Sequence, residues 1–177
     1  SLYFRSDYES GKFNLMQRVY HLYNRSTIPL NATILNATVY FHSEWAGSPF
    51  VSVENLVITG FKPTSNTSIP TADDWTKYTN DIYAANTSYT LYDDNGWHSI
   101  NLTNRSFITQ TNFALLFRGS NDVNGTFTGT WISNDLSYMS TFLTSHTGST
   151  YDPYLLIDWR EADTPPSSNT GFANITN

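Results

Sequence analysis

Residues 31–42 read Asn-Ala-Thr-Ile-Leu-Asn-Ala-Thr-Val-Tyr-Phe-His, and this stretch decides the fold class. From Leu35 onward, apolar and polar residues alternate strictly, so residues 35, 37, 39 and 41 share one face of an extended strand. Residues 36, 38, 40 and 42 share the opposite face. The alternation predicts a half-buried β-strand that contributes one face to a hydrophobic core.

The rest of the chain repeats this pattern in short runs separated by turn residues. Further strands are predicted over residues 13–23, 51–61, 88–92, 97–102, 107–110, 113–118, 126–133, 138–143 and 154–159. The dipeptide Asn95-Gly96 predicts a hairpin between its two flanking strands, and Asn124-Gly125 predicts a second turn. The pattern as a whole predicts an all-β fold, an antiparallel jelly-roll or Ig-like β-sandwich of about nine or ten strands.

One short helix is predicted over residues 71–83, where Thr71 resembles the start of a capping box and Trp75, Tyr78 and Ile82 have helical spacing. The predicted domain organisation has three parts. Residues 1–13 form an N-terminal extension, residues 14–162 form the β-sandwich domain, and residues 163–177 form a C-terminal linker and tail.

Acceptor sequences for N-linked glycans are unusually frequent. Nine of the eighteen asparagines lie in such sequences: Asn24, Asn31, Asn36, Asn66, Asn86, Asn101, Asn104, Asn124 and Asn174. They recur along the whole chain, in predicted loops and at outward positions of predicted strands. This distribution predicts an extracellular glycoprotein of the cell surface, from a eukaryote or an archaeon.

The composition argues against several classes of partner. A net charge of -6 opposes binding to nucleic acid, which requires a basic surface. The chain has no cysteine and no apolar run long enough to span a membrane, so we expect neither a disulfide nor a membrane span. Only 14% of residues are charged, which predicts a surface whose charge changes little with pH.

No catalytic motif is evident, and we expect a protein that is not an enzyme and has no cofactor. The histidines are far apart in sequence and lack metal-ligand spacing: His21, His42, His98 and His146. Calcium binding in the loops at residues 93–96 and 121–124 is a weaker alternative, because Asp and Asn are also common turn residues. Trp45, Trp75 and Trp97 are candidates for stacking on a sugar ring, although packing in a large core explains them as well.

The chain resembles the DNRLRE domains, a family of jelly-roll domains of prokaryotic cell-surface proteins. The similarity is carried by the strand Arg18-Val19-Tyr20-His21-Leu22-Tyr23 and the segment at residues 28–39, followed by residues 96–103, 113–118 and 153–157. The resemblance implies a jelly-roll fold, cell-surface display, adhesion or carbohydrate contact, and no catalytic residues. More loosely, the absence of cysteine and the many acceptor sequences are similar to archaeal thread filaments, glycosylated pilins whose subunits connect by donor-strand exchange.

Two functional hypotheses follow. The first is a structural subunit of an N-glycosylated extracellular filament that polymerises by strand exchange between copies of the chain and has an adhesive role. Its candidate donor strands are residues 1–13, with Leu2 and Phe4 on one face, and residues 171–176. The second is a carbohydrate-binding or adhesive cell-surface module, which predicts a cluster of exposed Trp and Tyr. A viral coat or spike protein is a variant of the first.

Overall fold

The structure is a computed structural model that describes residues 2–9, 12–47, 55–61, 78–82, 84, 87–88, 96–109, 111–125, 136–141, 151–161 and 170–176. These residues form twelve β-strands, a 3₁₀ turn at Ser106–Thr109 and one short helix, α1, at Ser120–Asn124. The strands are β1 (Leu2–Glu9), β2 (Lys12–Gln17), β3 (Val19–Asn24), β4 (Thr33–Gly47), β5 (Asn55–Phe61), β6 (Tyr78–Ile82), β7 (Thr87–Ser88), β8 (Trp97–Asn101), β9 (Asn112–Gly119), β10 (Leu136–Thr141), β11 (Tyr154–Arg160) and β12 (Thr170–Thr176).

The described strands pair antiparallel and form two sheets. The larger sheet has seven strands in the order β12-β11-β4-β10-β1-β2, with β8 paired to β4. The smaller sheet has five strands in the order β3-β9-β5-β6, with β7 paired to β5. The predicted all-β class is therefore confirmed for the part of the chain that the structure describes.

Strand β4 organises the larger sheet because its fifteen residues pair with three other strands. Residues 33–40 lie opposite β11, residues 38–42 lie opposite β8, and residues 43–47 lie opposite β10. The predicted alternation is confirmed in its central part, where the inward residues 37, 39 and 41 are fully buried. Residues 38 and 40 lie on the outer face.

Leu35 departs from the predicted pattern, since it is 37% exposed. The register explains the departure: Trp159 pairs with Ile34 and Asp158 pairs with Asn36, so Leu35 has no partner on β11. Leu35 is the extra residue of a β-bulge. Because a bulge adds one residue to the strand, the residues before it that face the core are shifted by one position from the pattern after it. As a result, Ile34 packs against the core in place of Leu35.

The single strand predicted over residues 13–23 is in fact two strands in different sheets. Strand β2 lies at an edge of the larger sheet and β3 at an edge of the smaller one, with Arg18 between them. Both strands have the apolar and aromatic composition of a β-strand, so local propensity could not show that the chain crosses between sheets.

The two sheets share one hydrophobic core. Buried side chains from both sheets form a single cluster that includes Val19 and Tyr23 from β3, Val39 and Phe41 from β4, Leu56 and Ile58 from β5, Phe113 and Phe117 from β9, and Leu155 and Ile157 from β11. Burial of apolar surface is the main favourable term in folding, so each sheet depends on the other for its stability.

The predicted helix over residues 71–83 is wrong where the structure describes it, because Tyr78–Ile82 is strand β6, paired with β5. Residues four apart share a face of both a helix and a strand, so Tyr78 and Ile82 fit either structure. Residues 71–77 lie outside the described residues.

The short helix is α1 instead, which ends at Gly125 with a φ of 67°, a left-handed conformation that favours glycine. Asn124-Gly125 is thus a helix end.

The hairpin predicted at Asn95-Gly96 lies mostly outside the described residues, which leave out residues 89–95. Strand β7, before it, pairs with β5 in the smaller sheet, whereas β8, after it, pairs with β4 in the larger sheet. Residues 106–109, within which a strand was predicted, form the 3₁₀ turn, and residues 170–176, expected in a tail, form the edge strand β12. The strand predicted over residues 126–133 lies outside the described residues.

Within the described ranges, no helix has the length and apolar composition needed to cross a membrane.

Candidate functional site

Aromatic side chains meet on the outer face of the larger sheet. Tyr40 of β4 and Tyr154 of β11 are paired in register, and their rings stack with centroids 4.7 Å apart and planes only 8° from parallel. The indole of Trp97, on β8, contacts Tyr154 with ring centroids 5.6 Å apart. Three strands that are distant in sequence therefore bring three aromatic rings together.

Two further rings extend this group. His42 of β4 pairs in register with Trp97 and meets it edge-on, with centroids 5.6 Å apart. Tyr151, just before β11, lies against His42 with centroids 4.4 Å apart. Trp97 and Tyr151 are 42% and 37% exposed, whereas His42 is buried. We call Tyr40, His42, Trp97, Tyr151 and Tyr154 the aromatic face.

Neutral polar residues border the aromatic face. In the register of the sheet, Thr38 lies opposite Asn101, and Ser99 lies opposite Tyr40. Burial, and secondarily the neighbouring Tyr40 hydroxyl, raises the pKa of Tyr154 above its usual value, so this phenol is neutral and can donate a hydrogen bond. The site therefore offers apolar ring surfaces beside hydroxyl groups.

The glycan acceptor asparagines occupy different kinds of position. Asn24, Asn31, Asn101 and Asn124 are exposed, and Asn36 and Asn104 are half-buried. Asn174 lies in β12, where its backbone pairs with Leu156. Asn66 and Asn86 lie outside the described residues. Asn36 and Asn101 belong to β4 and β8, two of the strands that carry the aromatic face.

The predicted sugar-stacking tryptophans have different outcomes. Trp97 belongs to the aromatic face. Trp45 lies in β4, but its side chain is outside the described part of the chain, as is the whole of Trp75. Tyr40, Tyr151 and Tyr154 were not predicted as residues of the site. Tyr40 carried a usable signal, since an aromatic residue on the outward side of an alternating strand is exposed to solvent or to a partner.

The histidines do not come together. His21 faces the core beside Phe117. His42 lies on the outer face of the larger sheet, and His98 lies on its inner side, where its Nε2 is 2.8 Å from the Ser43 hydroxyl. His146 is outside the described residues. Among the residues that the structure describes, no three His, Asp or Glu side chains are grouped in a way that could hold a metal ion.

Residues 121–124, which were predicted as a calcium-binding loop, form part of helix α1. The carboxylate of Asp122 in this helix is paired with two arginines. Asp122 accepts two hydrogen bonds from Arg18, at 2.7 and 2.6 Å, and two from Arg118, at 2.8 and 3.0 Å. Burial favours the neutral acid, but the two guanidinium groups outweigh it and lower the pKa of Asp122. The triad joins the start of β3 to β9. Residues 93–95 of the other calcium candidate are not described.

The two candidate donor strands both lie within the chain's own larger sheet. Leu2 and Phe4 belong to β1, which pairs with β10 on one side and β2 on the other. Among the strands that the structure describes, β12 is instead an edge strand whose partner is β11, through seven residue pairs, and it places Ile175 in the core. Of the two, β12 therefore has the position from which a strand can be exchanged.

No protein-family model, curated protein or solved structure matches the chain. The resemblance to DNRLRE domains and to thread filaments stays a prediction from sequence.

Proposed function

We propose that this chain is an extracellular, N-glycosylated adhesive module of the cell surface that binds carbohydrate through the aromatic face. The observation that supports this best is the group formed by Trp97, Tyr151 and the stacked pair Tyr40 and Tyr154 on the outside of the larger sheet. Exposed rings of this kind pack on the apolar face of a pyranose, and phenol hydroxyls can hydrogen-bond to its hydroxyl groups.

The chemistry around the rings favours a neutral saccharide over other ligands. The neighbouring Thr38 and Ser99 present hydroxyl groups, which can donate and accept hydrogen bonds at neutral pH. A charged ligand would require an opposite charge on the site. The proposal includes no catalytic step and no cofactor. A jelly-roll or Ig-like sandwich is the finer fold assignment that we propose for the two sheets and their common core.

The test is binding of the purified chain to a glycan array, followed by calorimetry with the best saccharide. Trp97→Ala and Tyr151→Ala should each weaken binding about tenfold, the loss of roughly 1.4 kcal/mol of stacking. Leu30→Ala is the matched control, because Leu30 is an exposed apolar residue, at 72%, in a turn outside the aromatic face. Absence of binding to every saccharide, or parental affinity in both aromatic variants, would contradict the proposal.

A second candidate is the structural subunit of a filament that polymerises by strand exchange, and the position of β12 favours it. Donation of residues 170–176 to another copy would replace the same seven pairs on β11 and the same buried Ile175. In this version the C-terminal strand is the donor, in place of Leu2 and Phe4.

Electron microscopy of the native material tests this candidate. Fibres should be present for the full chain and absent for a chain that ends at residue 161. A synthetic peptide of residues 168–177 should bind the shortened chain as a monomer, because it fills the empty edge of β11. Fibres that persist after the truncation would exclude β12 as the donor, and absence of fibres from the native material would exclude the filament.

A further inference from the structure

The pattern Asn-Arg-Ser-x-Ile occurs twice in the chain, beginning at Asn24 and at Asn104, and both copies form the same turn. In the first, the side-chain Oδ1 of Asn24 accepts a hydrogen bond from the backbone N–H of Ser26 at 2.8 Å. In the second, Oδ1 of Asn104 accepts one from the N–H of Ser106 at 3.1 Å and one from its hydroxyl at 2.9 Å. Both are Asx turns.

The backbone behind each asparagine is also the same. The N–H of Ile28 donates to the carbonyl of Arg25 at 2.8 Å, and the N–H of Ile108 donates to the carbonyl of Arg105 at 3.0 Å. Both isoleucine side chains are buried in the common core. Each copy is thus a tight turn held to the body of the protein by its last residue.

The middle arginine of each copy points back toward the protein. Arg25 is buried, and its guanidinium donates to the carbonyl oxygens of Ile108 and Pro29. Arg105 donates to the carbonyl oxygen of Leu35 at 2.5 Å. Because Arg25 of the first copy binds a carbonyl of the second, the two turns lie side by side.

This geometry leaves the reactive atom of each asparagine available. The turn uses only Oδ1, and among the described residues the side-chain Nδ2 of Asn24 and that of Asn104 have no hydrogen-bond partner. Ser26 and Ser106, the hydroxyl residues that complete each acceptor sequence, are both exposed. Asn24 is exposed and Asn104 is half-buried, so an enzyme can reach the amide nitrogen of each copy without unfolding the chain.

Asn36 has the same kind of acceptor sequence in a different setting. Asn24 is the last residue of β3 and its acceptor sequence continues into the turn, whereas residues 36–38 all lie within β4 and pair with β11. Asn36 is also half-buried. A strand that is hydrogen-bonded to its neighbour cannot bend around an enzyme's active site unless that pairing opens first, which costs free energy.

We propose that Asn24 and Asn104 are a pair of N-glycan acceptor sites that are modified on the folded domain, side by side at one position on its surface. In the reaction, Nδ2 forms a bond to C1 of a sugar carried on a polyprenyl pyrophosphate. The bond from C1 to the pyrophosphate oxygen breaks, that oxygen keeps the electron pair, and Nδ2 loses one proton to solvent. The proposal rests on the extracellular setting of the proposed function, but not on saccharide binding by the aromatic face.

The test uses the full chain, purified without glycans from cells that lack N-glycosylation. The folded chain is incubated with a single-subunit oligosaccharyltransferase, its divalent cation and a synthetic polyprenyl-pyrophosphate chitobiose, and each site is followed by mass spectrometry. Asn24 and Asn104 should react about tenfold or more faster than Asn36, whose acceptor sequence lies entirely within a paired strand and requires local opening. In a digest with a protease that cleaves after glutamate, which leaves both Asn-Arg-Ser sequences intact, the three rates should become similar.

Matched variants separate modification from a purely structural role of the turns. Ser26→Ala and Ser106→Ala should each abolish reaction at their own site, and Ser26→Thr and Ser106→Thr should restore it, while the melting temperature of the threonine variants stays at the parental value. Equal rates at Asn24, Asn104 and Asn36 of the folded chain, or reaction at Asn24 and Asn104 only after unfolding, would overturn the proposal. Either result leaves the glycan-array test of the aromatic face unaffected.

Discussion

His21 shows how one residue can control the acid stability of a protein with few surface charges. Its imidazole lies in the common core, edge-on to Phe117 with ring centroids 5.2 Å apart, and burial lowers its pKa from 6.5 to about 4. Below pH 6.5 the unfolded chain takes up a proton that the folded chain does not take up until about pH 4. Stability is therefore complete above about pH 6.5 and falls as the pH decreases through this range.

His21→Leu removes this titration and keeps an apolar side chain in the core. We expect the free energy of unfolding of the parent to lose about 3 kcal/mol more than that of the variant between pH 7 and pH 4. Urea titrations at several pH values measure the difference. If both proteins lose stability equally over this range, His21 is not the group responsible. The low surface charge predicted from composition thus says little about acid tolerance.

Asp122 is the second residue whose charge state the fold depends on. Asp122→Asn removes the carboxylate charge with which the buried guanidinium groups of Arg18 and Arg118 both pair, and breaking a buried ion pair in this way costs about 3–5 kcal/mol. Urea unfolding at pH 7 measures the loss. Asn124→Gln, an exposed change on the same helix, should change stability by less than about 0.5 kcal/mol. A similar small effect of Asp122→Asn would show that the triad contributes little.

At the level of elements, the edge strand β12 depends on one close contact. A Cβ atom at Gly171 would lie 2.7–3.0 Å from three atoms of the Trp159 ring, which is closer than packed atoms approach. Gly171→Ala should therefore destabilise the chain by about 1–3 kcal/mol, because the ring or the strand has to move. Hydrogen exchange should show the lost protection in β12 and β11 first.

Ala173→Gly is the control for this prediction, since it shortens a side chain of the same strand without creating a clash. It should cost about 1 kcal/mol through strand entropy and a lost methyl group. Unchanged protection of β12 in Gly171→Ala would show that the edge can adjust to the added methyl group.

The elements that sequence could predict are those whose signal is local. The alternation in β4 gave its core face correctly, and only the bulge at Leu35 was missed, because a bulge is defined by the partner strand β11. The sheet partners of the strands on either side of Asn95-Gly96 could not be predicted for the same reason: β7 pairs with β5 and β8 pairs with β4, in different sheets.

The candidate site could be predicted from sequence only in part. Trp97 was identified as a possible sugar contact, but the aromatic face also needs Tyr40 and Tyr154, which are 114 positions apart and meet because β4 and β11 pair. Asn24 and Asn104 were recognisable as acceptors, whereas their common turn depends on hydrogen bonds that only the structure shows.

For the molecule as a whole, the common core predicts that the two sheets unfold together. Ile157 of β11 and Ile58 of β5 are both fully buried in that core, on opposite sheets. Ile157→Ala and Ile58→Ala should each lower the free energy of unfolding by about 2–5 kcal/mol, and each should shift the unfolding of both sheets.

Hydrogen exchange of amides in β4 and in β9, measured across a urea series, reports on the two sheets separately. In either variant both sets of amides should lose protection at the same urea concentration, because neither sheet can bury its apolar face without the other. Leu30→Ala, in an exposed turn, should leave both midpoints unchanged within about 0.5 kcal/mol. Loss of protection in β9 while β4 stays protected would show that the larger sheet is stable on its own, and the aromatic face could then be studied as an independent unit.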